Sequence, residues 1–232
     1  VGGTLREAYI FEGRVRPDDD GATEASACPD GNCAGTGNIN VAQVREVGQV
    51  TANDGRGFRL PRAFDIRCST FISSEGLGTW GQKMVSAAQR VAPRCFYESH
   101  VFDSLCPGYL RMNQEQKNSF IALVFAGIAQ TESNCNPRAR AHGSNDIADG
   151  MFQLEYSASF RSRNQRWCRT GTPTNTQAVE FQSECAVSTI EDTICSNGRS
   201  LNSSGGYWQK LRGDRTISRN IRNTAASWGL CR

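Results

Sequence analysis

Histidine and lysine are scarce in this chain, and cysteines in CxxC spacing are missing altogether. The only histidines are His100 and His142, and the only lysines Lys83, Lys117 and Lys210. Zinc frameworks need closely spaced Cys and His, so no metal site is expected, and nothing points to an organic cofactor. No run of about 18 apolar residues occurs, so no membrane span is expected. The start, VGGTLREAYI, lacks a basic lead and an apolar signal core, as expected where a leader has been removed. Internal repeats and low-complexity tracts are absent. Asp18, Asp19 and Asp20 lack EF-hand spacing and read as a solvated turn.

What the chain has in quantity is cysteine and arginine. Its 232 residues are 38% hydrophobic, enough for one generous domain or a core domain with an appendage. Ten cysteines at irregular spacing point to as many as five disulfides in a secreted or periplasmic protein. Ten cysteines allow roughly 945 pairings, so the connectivity is open, although Cys28 and Cys33 in CPDGNC are placed to close a local loop. Net charge is +3, divided as −3 up to Glu75 and +6 from Gly76 onward. Arginines cluster from Arg161 to Arg169, a face that attracts polyanions or is simply solvated. No nucleic-acid-binding motif accompanies them, so nucleic acid is not an expected partner.

Residues 1–75 read as an N-terminal extension of loops and short strands, with strand-like content in EAYIFEGRVR and INVAQVREVGQVTA. From residue 76 to the end, helical periodicity prevails. WGQKMVSAAQRVA is one helix, and MNQEQKNSFIALVFAGIAQTES another, opened by Asn113 and Gln116 in capping-box spacing. QAVEFQSECAVSTIEDTIC is a third, and shorter helical pieces lie around GYWQKLRG and IRNTAASWG. Between Asn134 and Glu155 the pattern becomes irregular or β. The expected class is α+β, mostly α.

One acid stands out. Ile121, Phe125, Ile128 and Glu132 are spaced 4, 3 and 4 apart and form one helical stripe that ends in a carboxylate. An acid partly enclosed by apolar groups is poorly solvated when charged, so its protonated form is favoured, as a general acid requires. The bland alternative is a helix-end Glu that snorkels to solvent or pairs with Arg138 or Arg140. Pro137 is expected to stop the helix. ADGMFQLE then supplies Gly150, the apolar pair Met151 and Phe152, the polar Gln153, and Glu155.

Glu132-Ser133, Asn136-Pro137 and Gly150-Met151-Phe152-Gln153, in that order and helix context, resemble the Glu-Ser and Gly-Leu-Met-Gln signature of the lysozyme-like superfamily. That superfamily includes goose-type lysozymes and soluble lytic transglycosylases. The matching stretch covers about 28 residues, within a helical frame from about Trp80 to the C-terminus; residues 1–75 match no family. The resemblance implies a lysozyme-like domain over residues 76–232, with Glu132 as general acid on the β-1,4 glycan of peptidoglycan. It implies substrate contacts from Gln153, Phe152, Ser133 and Tyr207, the last standing in a segment where transglycosylases carry Ala-Tyr-Asn. Trp208 replaces that Asn and reads as either core or sugar platform, and His142 as a loop residue.

An inverting hydrolase also needs a second carboxylate to activate water. The resemblance offers Glu155, two positions after Gln153, and Asp146 in the preceding loop; Asp149 has no counterpart. The expectation is a monomeric peptidoglycan hydrolase of goose-type-lysozyme character. The alternatives are a lytic transglycosylase that forms anhydro-sugar ends, and a non-catalytic glycan-binding module.

Overall fold

The computed structural model describes residues 58–142, 147–155, 167–168, 178–203, 206–212 and 216–231. The expected strands before residue 58, the Asp18–Asp20 turn, Cys28, Cys33, Asp146 and the arginines between 161 and 169 lie outside the described residues.

The first described element is a hairpin, β1 (Ile72–Ser73) with β2 (Gly76–Leu77), in which Ile72 pairs with Leu77. Two amphipathic helices follow, α1 (Thr79–Val91) and α2 (Pro93–Glu98). Pro93 separates them, because proline is disfavoured within a helix but fits the first turn of a new one. The longest helix, α3 (Gln114–Ser133), opens on a complete capping box between Asn113 and Gln116. A three-stranded antiparallel sheet comes next: β3 (Arg140–His142), β4 (Ile147–Asp149) and β5 (Leu154–Glu155), with β4 central. Helices α4 (Val179–Thr193) and α5 (Thr216–Ser227) close the described chain. The class is therefore α+β, mostly helical, with small antiparallel sheets.

α3 is the axis of the core. Residues Ser119 to Ala129 are all buried, so this helix is covered around its whole circumference rather than along one stripe. α1 packs against it and also against α4, and α5 packs against α3 as well. The α5 crossing is close because Gly127 has no side chain: a Cβ there would run into Ile221.

α3 does not stop where proline was expected to stop it. Asn134 and Cys135 both take left-handed backbone conformations (φ 50° and 55°), and the helix ends before Pro137 is reached. Asparagine tolerates that conformation better than most residues, so an Asn cap ends the helix.

Residues 58–75 pack into the helical core, and the β1–β2 hairpin runs across positions 75 and 76. Phe58, Phe64, Phe71 and Ile72 are buried there, and Cys68 is bonded to Cys135 at the end of α3. Gln130 accepts the Asp65 amide N–H at 2.6 Å, a second tie to the same helix end. All described residues belong to one unit.

Among the described residues there are four disulfides: Cys68–Cys135, Cys95–Cys195, Cys106–Cys231 and Cys168–Cys185. Three of them span 67, 100 and 125 residues, so they join elements far apart in the chain. Among the described residues no helix is long and apolar enough to cross a membrane.

Candidate functional site

The last turn of α3 carries Glu132 out of the core to the edge of an open groove of 590 Å³. Glu132, Gln153, Glu155, Tyr207, Trp208 and Lys210 line this groove, with Ala141 and Ala148 from β3 and β4. Residues distant in sequence thus meet at one surface, on α3, on the small sheet and on the 206–212 segment.

Glu132 is half-buried, and burial raises its carboxyl pKa because a partly dry carboxylate loses hydration when it ionises. The positive charge of Lys210, and to a smaller degree a hydrogen bond from Thr131, oppose that rise without cancelling it. Arg140, one of the two arginines considered as a partner for Glu132, places its guanidinium on Asp149 at 2.9 Å, and Asp149 is completely buried.

The strand side of the groove is held by four clamps around residues 149–155. Ser133 donates to the Met151 carbonyl at 2.7 Å and accepts the Asn136 amide N–H. Gln182, in the first turn of α4, accepts the Phe152 amide N–H and donates to the Asp149 carbonyl, both at 3.1 Å. The Trp208 indole donates to the Phe152 carbonyl at 3.0 Å. The Tyr207 hydroxyl donates to the Gln153 carbonyl and accepts the Glu155 amide N–H.

These clamps explain two unusual backbone positions. Gly150 has φ +77°, and a Cβ on it would collide with the Gln182 carboxamide, so only glycine fits. Gln153 has φ 49°, an uncommon conformation for a residue with a side chain, and its own amide holds it there by donating to the carbonyls of Gly150 and Ala139.

The expected site residues therefore divide. Glu132, Glu155, Gln153 and Tyr207 are brought together on one groove. Ser133 is a helix-end tether whose hydroxyl is engaged with main chain. Phe152 is corrected: it is fully buried and surrounded by Phe71, Trp80, Phe125 and Trp208 at centroid distances from 5.7 to 6.4 Å, so it offers no surface to a ligand. Trp208 is mainly core, 4% exposed, although it also lines the groove. Asp149 is a fully buried acid at the end of β4, and His142 is an exposed residue of β3. Asp146 lies outside the described residues.

Two residues at the site carried no periodic signal. Lys210 is one of only three lysines in an arginine-rich chain, and that rarity was its sole mark. Gln182 is a polar residue on the buried face of α4, where hydrophobic spacing passes over it. Among the described residues no cluster of His, Cys, Asp and Glu is arranged to hold a metal.

No protein-family model matches this chain, and no curated protein matches it. Solved structures do. Structures of the Bdellovibrio protein DslA, one wild type and two variants that each carry a single glutamate-to-glutamine change, superimpose with a TM-score of 0.54. Identity is 19–20%, and the match covers 66% of this chain and 91% of DslA. The likeness establishes a shared fold.

Proposed function

We propose that this protein is a lysozyme-like glycoside hydrolase that cuts the β-1,4 glycan of peptidoglycan in an oxidising compartment, outside the cytoplasm. The observation that carries this reading is the placement of Glu132: half-buried, with its carboxyl pKa raised by burial, at the rim of a groove shared with Glu155, Gln153 and Tyr207. The fold shared with DslA supports it, as does the resemblance of the Glu132-Ser133 and Gly150–Gln153 segments to the lysozyme-like signature. Four disulfides support the compartment, since such bonds persist where thiols are not kept reduced.

In this reading the Glu132 proton passes to the glycosidic oxygen, which leaves with the electron pair of the C–O bond. A water oxygen then bonds the anomeric carbon and loses its proton to a carboxylate, for which Glu155 and Asp146 are the candidates. Glu155 is exposed at the end of β5, where Tyr207 fixes its backbone.

The test is release of soluble muropeptides from purified wall by wild type and by Glu132→Gln. Release by wild type alone supports the reading; equal behaviour of the two proteins identifies a glycan-binding module instead. Mass analysis of the products separates the mechanisms. Reducing ends are expected for hydrolysis, whereas 1,6-anhydro ends would mean that the sugar's own hydroxyl replaces water and that Glu155 and Asp146 are not the base.

A further inference from the structure

We propose that Lys210 is the recognition residue of this groove for a carboxylate carried by the bound glycan. The inference rests on the glycan-cleaving reading and adds to it the class of glycan: strands bearing acidic substituents, in preference to neutral ones.

Among the described residues that line the groove, Lys210 is the only cation. Its position is fixed by main chain. The ammonium donates to the carbonyl of Thr131, in the last turn of α3, where unsatisfied carbonyls and the helix dipole favour a positive charge. An ammonium has three N–H donors, and Lys210 is exposed, so donors remain for a ligand after the bond to Thr131. A cation anchored this way is held in place before any anion arrives.

Its neighbourhood sharpens the argument. Thr131 immediately precedes Glu132, so the cation stands beside the proposed acid. Among the described residues, the other titratable groups on this groove are Glu155 from β5 and Tyr207 from the 206–212 segment. Lys210 opposes the effect of burial on Glu132 by stabilising its ionised form. In an empty groove that works against a proton donor. A ligand carboxylate paired with Lys210 offsets the positive field, leaving burial to keep the proton on Glu132. One contact thus both holds an acidic glycan and favours the protonated acid. A neutral β-1,4 glycan such as chitin supplies neither effect.

The carboxylate has two possible sources in peptidoglycan, the lactyl group of a muramic acid without its peptide, or the acidic residues of an attached peptide. The test measures binding by full-length Glu132→Gln, which prevents turnover, and by the same chain with Lys210→Met or Lys210→Arg. The probes are three tetrasaccharides: neutral chitotetraose, a peptide-free lactyl-bearing tetramer, and a peptide-bearing tetramer. At least one acidic tetramer should bind about fivefold to tenfold more tightly than chitotetraose. Lys210→Met should bring that ratio to about one, and Lys210→Arg should largely preserve it. Which acidic tetramer is preferred identifies the source. Equal affinity for all three probes, or a preference that Lys210→Met leaves unchanged, overturns the proposal. Failure to bind any glycan, in a variant that melts as wild type does, overturns the glycan reading and this inference with it.

Discussion

The Ser133 hydroxyl donates to the Met151 carbonyl at 2.7 Å. The residue after Glu132 is thereby bonded to the residue two before Gln153, which ties the helix end to the turn that leads into β5. The same oxygen accepts the Asn136 amide N–H at 3.1 Å, so it also shapes the turn that leaves α3. Ser133→Ala is expected to lower stability by about 1 kcal/mol, the usual net effect of losing such a bond. Activity should fall more than stability does, through kcat rather than KM, because the proposed acid loses its registry with the strand. Steady-state kinetics beside thermal melting separate the two effects.

The raised pKa of Glu132 ties stability to pH in a definite direction. Because the folded state favours its protonated form, the stability it contributes is fully present below the pKa of an unfolded glutamate, about 4.3, and is lost as pH rises through the higher folded value. Glu132→Gln has no such titration. The melting temperature of Glu132→Gln relative to wild type should therefore rise between about pH 4 and neutral. The same titration should make glycan cleavage decline toward higher pH. A melting difference that stays constant across that range would contradict a half-dry carboxyl.

Phe152 sits at the meeting point of four other aromatic rings and is fully buried. Phe152→Ala should cost about 3–5 kcal/mol from lost burial and the cavity left behind. Phe152→Leu should cost less and leave glycan affinity near wild type. Denaturant unfolding together with ligand titration checks both, and a specific affinity loss in the Leu variant would restore Phe152 to the ligand surface.

Asp149 is sealed from solvent, with the guanidinium of Arg140 at 2.9 Å and the Gly150 amide N–H donating to its other oxygen at 3.0 Å. Arg140→Met removes a cation from a buried carboxylate, and an expected loss of about 2–3 kcal/mol follows. Denaturant unfolding of wild type and variant side by side provides the check.

The Cys68–Cys135 bond closes a 67-residue separation and anchors the chain just beyond Glu132. Replacing both cysteines by alanine should destabilise the fold by roughly 4 kcal/mol on a chain-entropy account. Groove activity should decline before global unfolding, because the α3 terminus is the point released. Guanidinium titration with activity measured in parallel tests the order of events.

Much of the fold was legible from local patterns. The Asn113–Gln116 capping box, the helical periods of α1, α3 and α4, and the irregular stretch before Glu155 depend on neighbours three or four residues apart, and they appear where those neighbours put them. The chain also named Glu132, Gln153, Glu155 and Tyr207, but had no means to show that they share a groove, because residues 54 positions apart meet only through packing. Three features were decided by tertiary structure alone. Residues 58–75 join the helical core through a hairpin and a disulfide whose partner no spacing identifies. Phe152 turns inward because aromatic neighbours from four separate segments enclose it. Lys210 reaches the proposed acid because the 206–212 segment lies against the end of α3. Sequence determines what each residue can do within a turn or two of helix; which charges and rings become neighbours depends on how those turns are stacked.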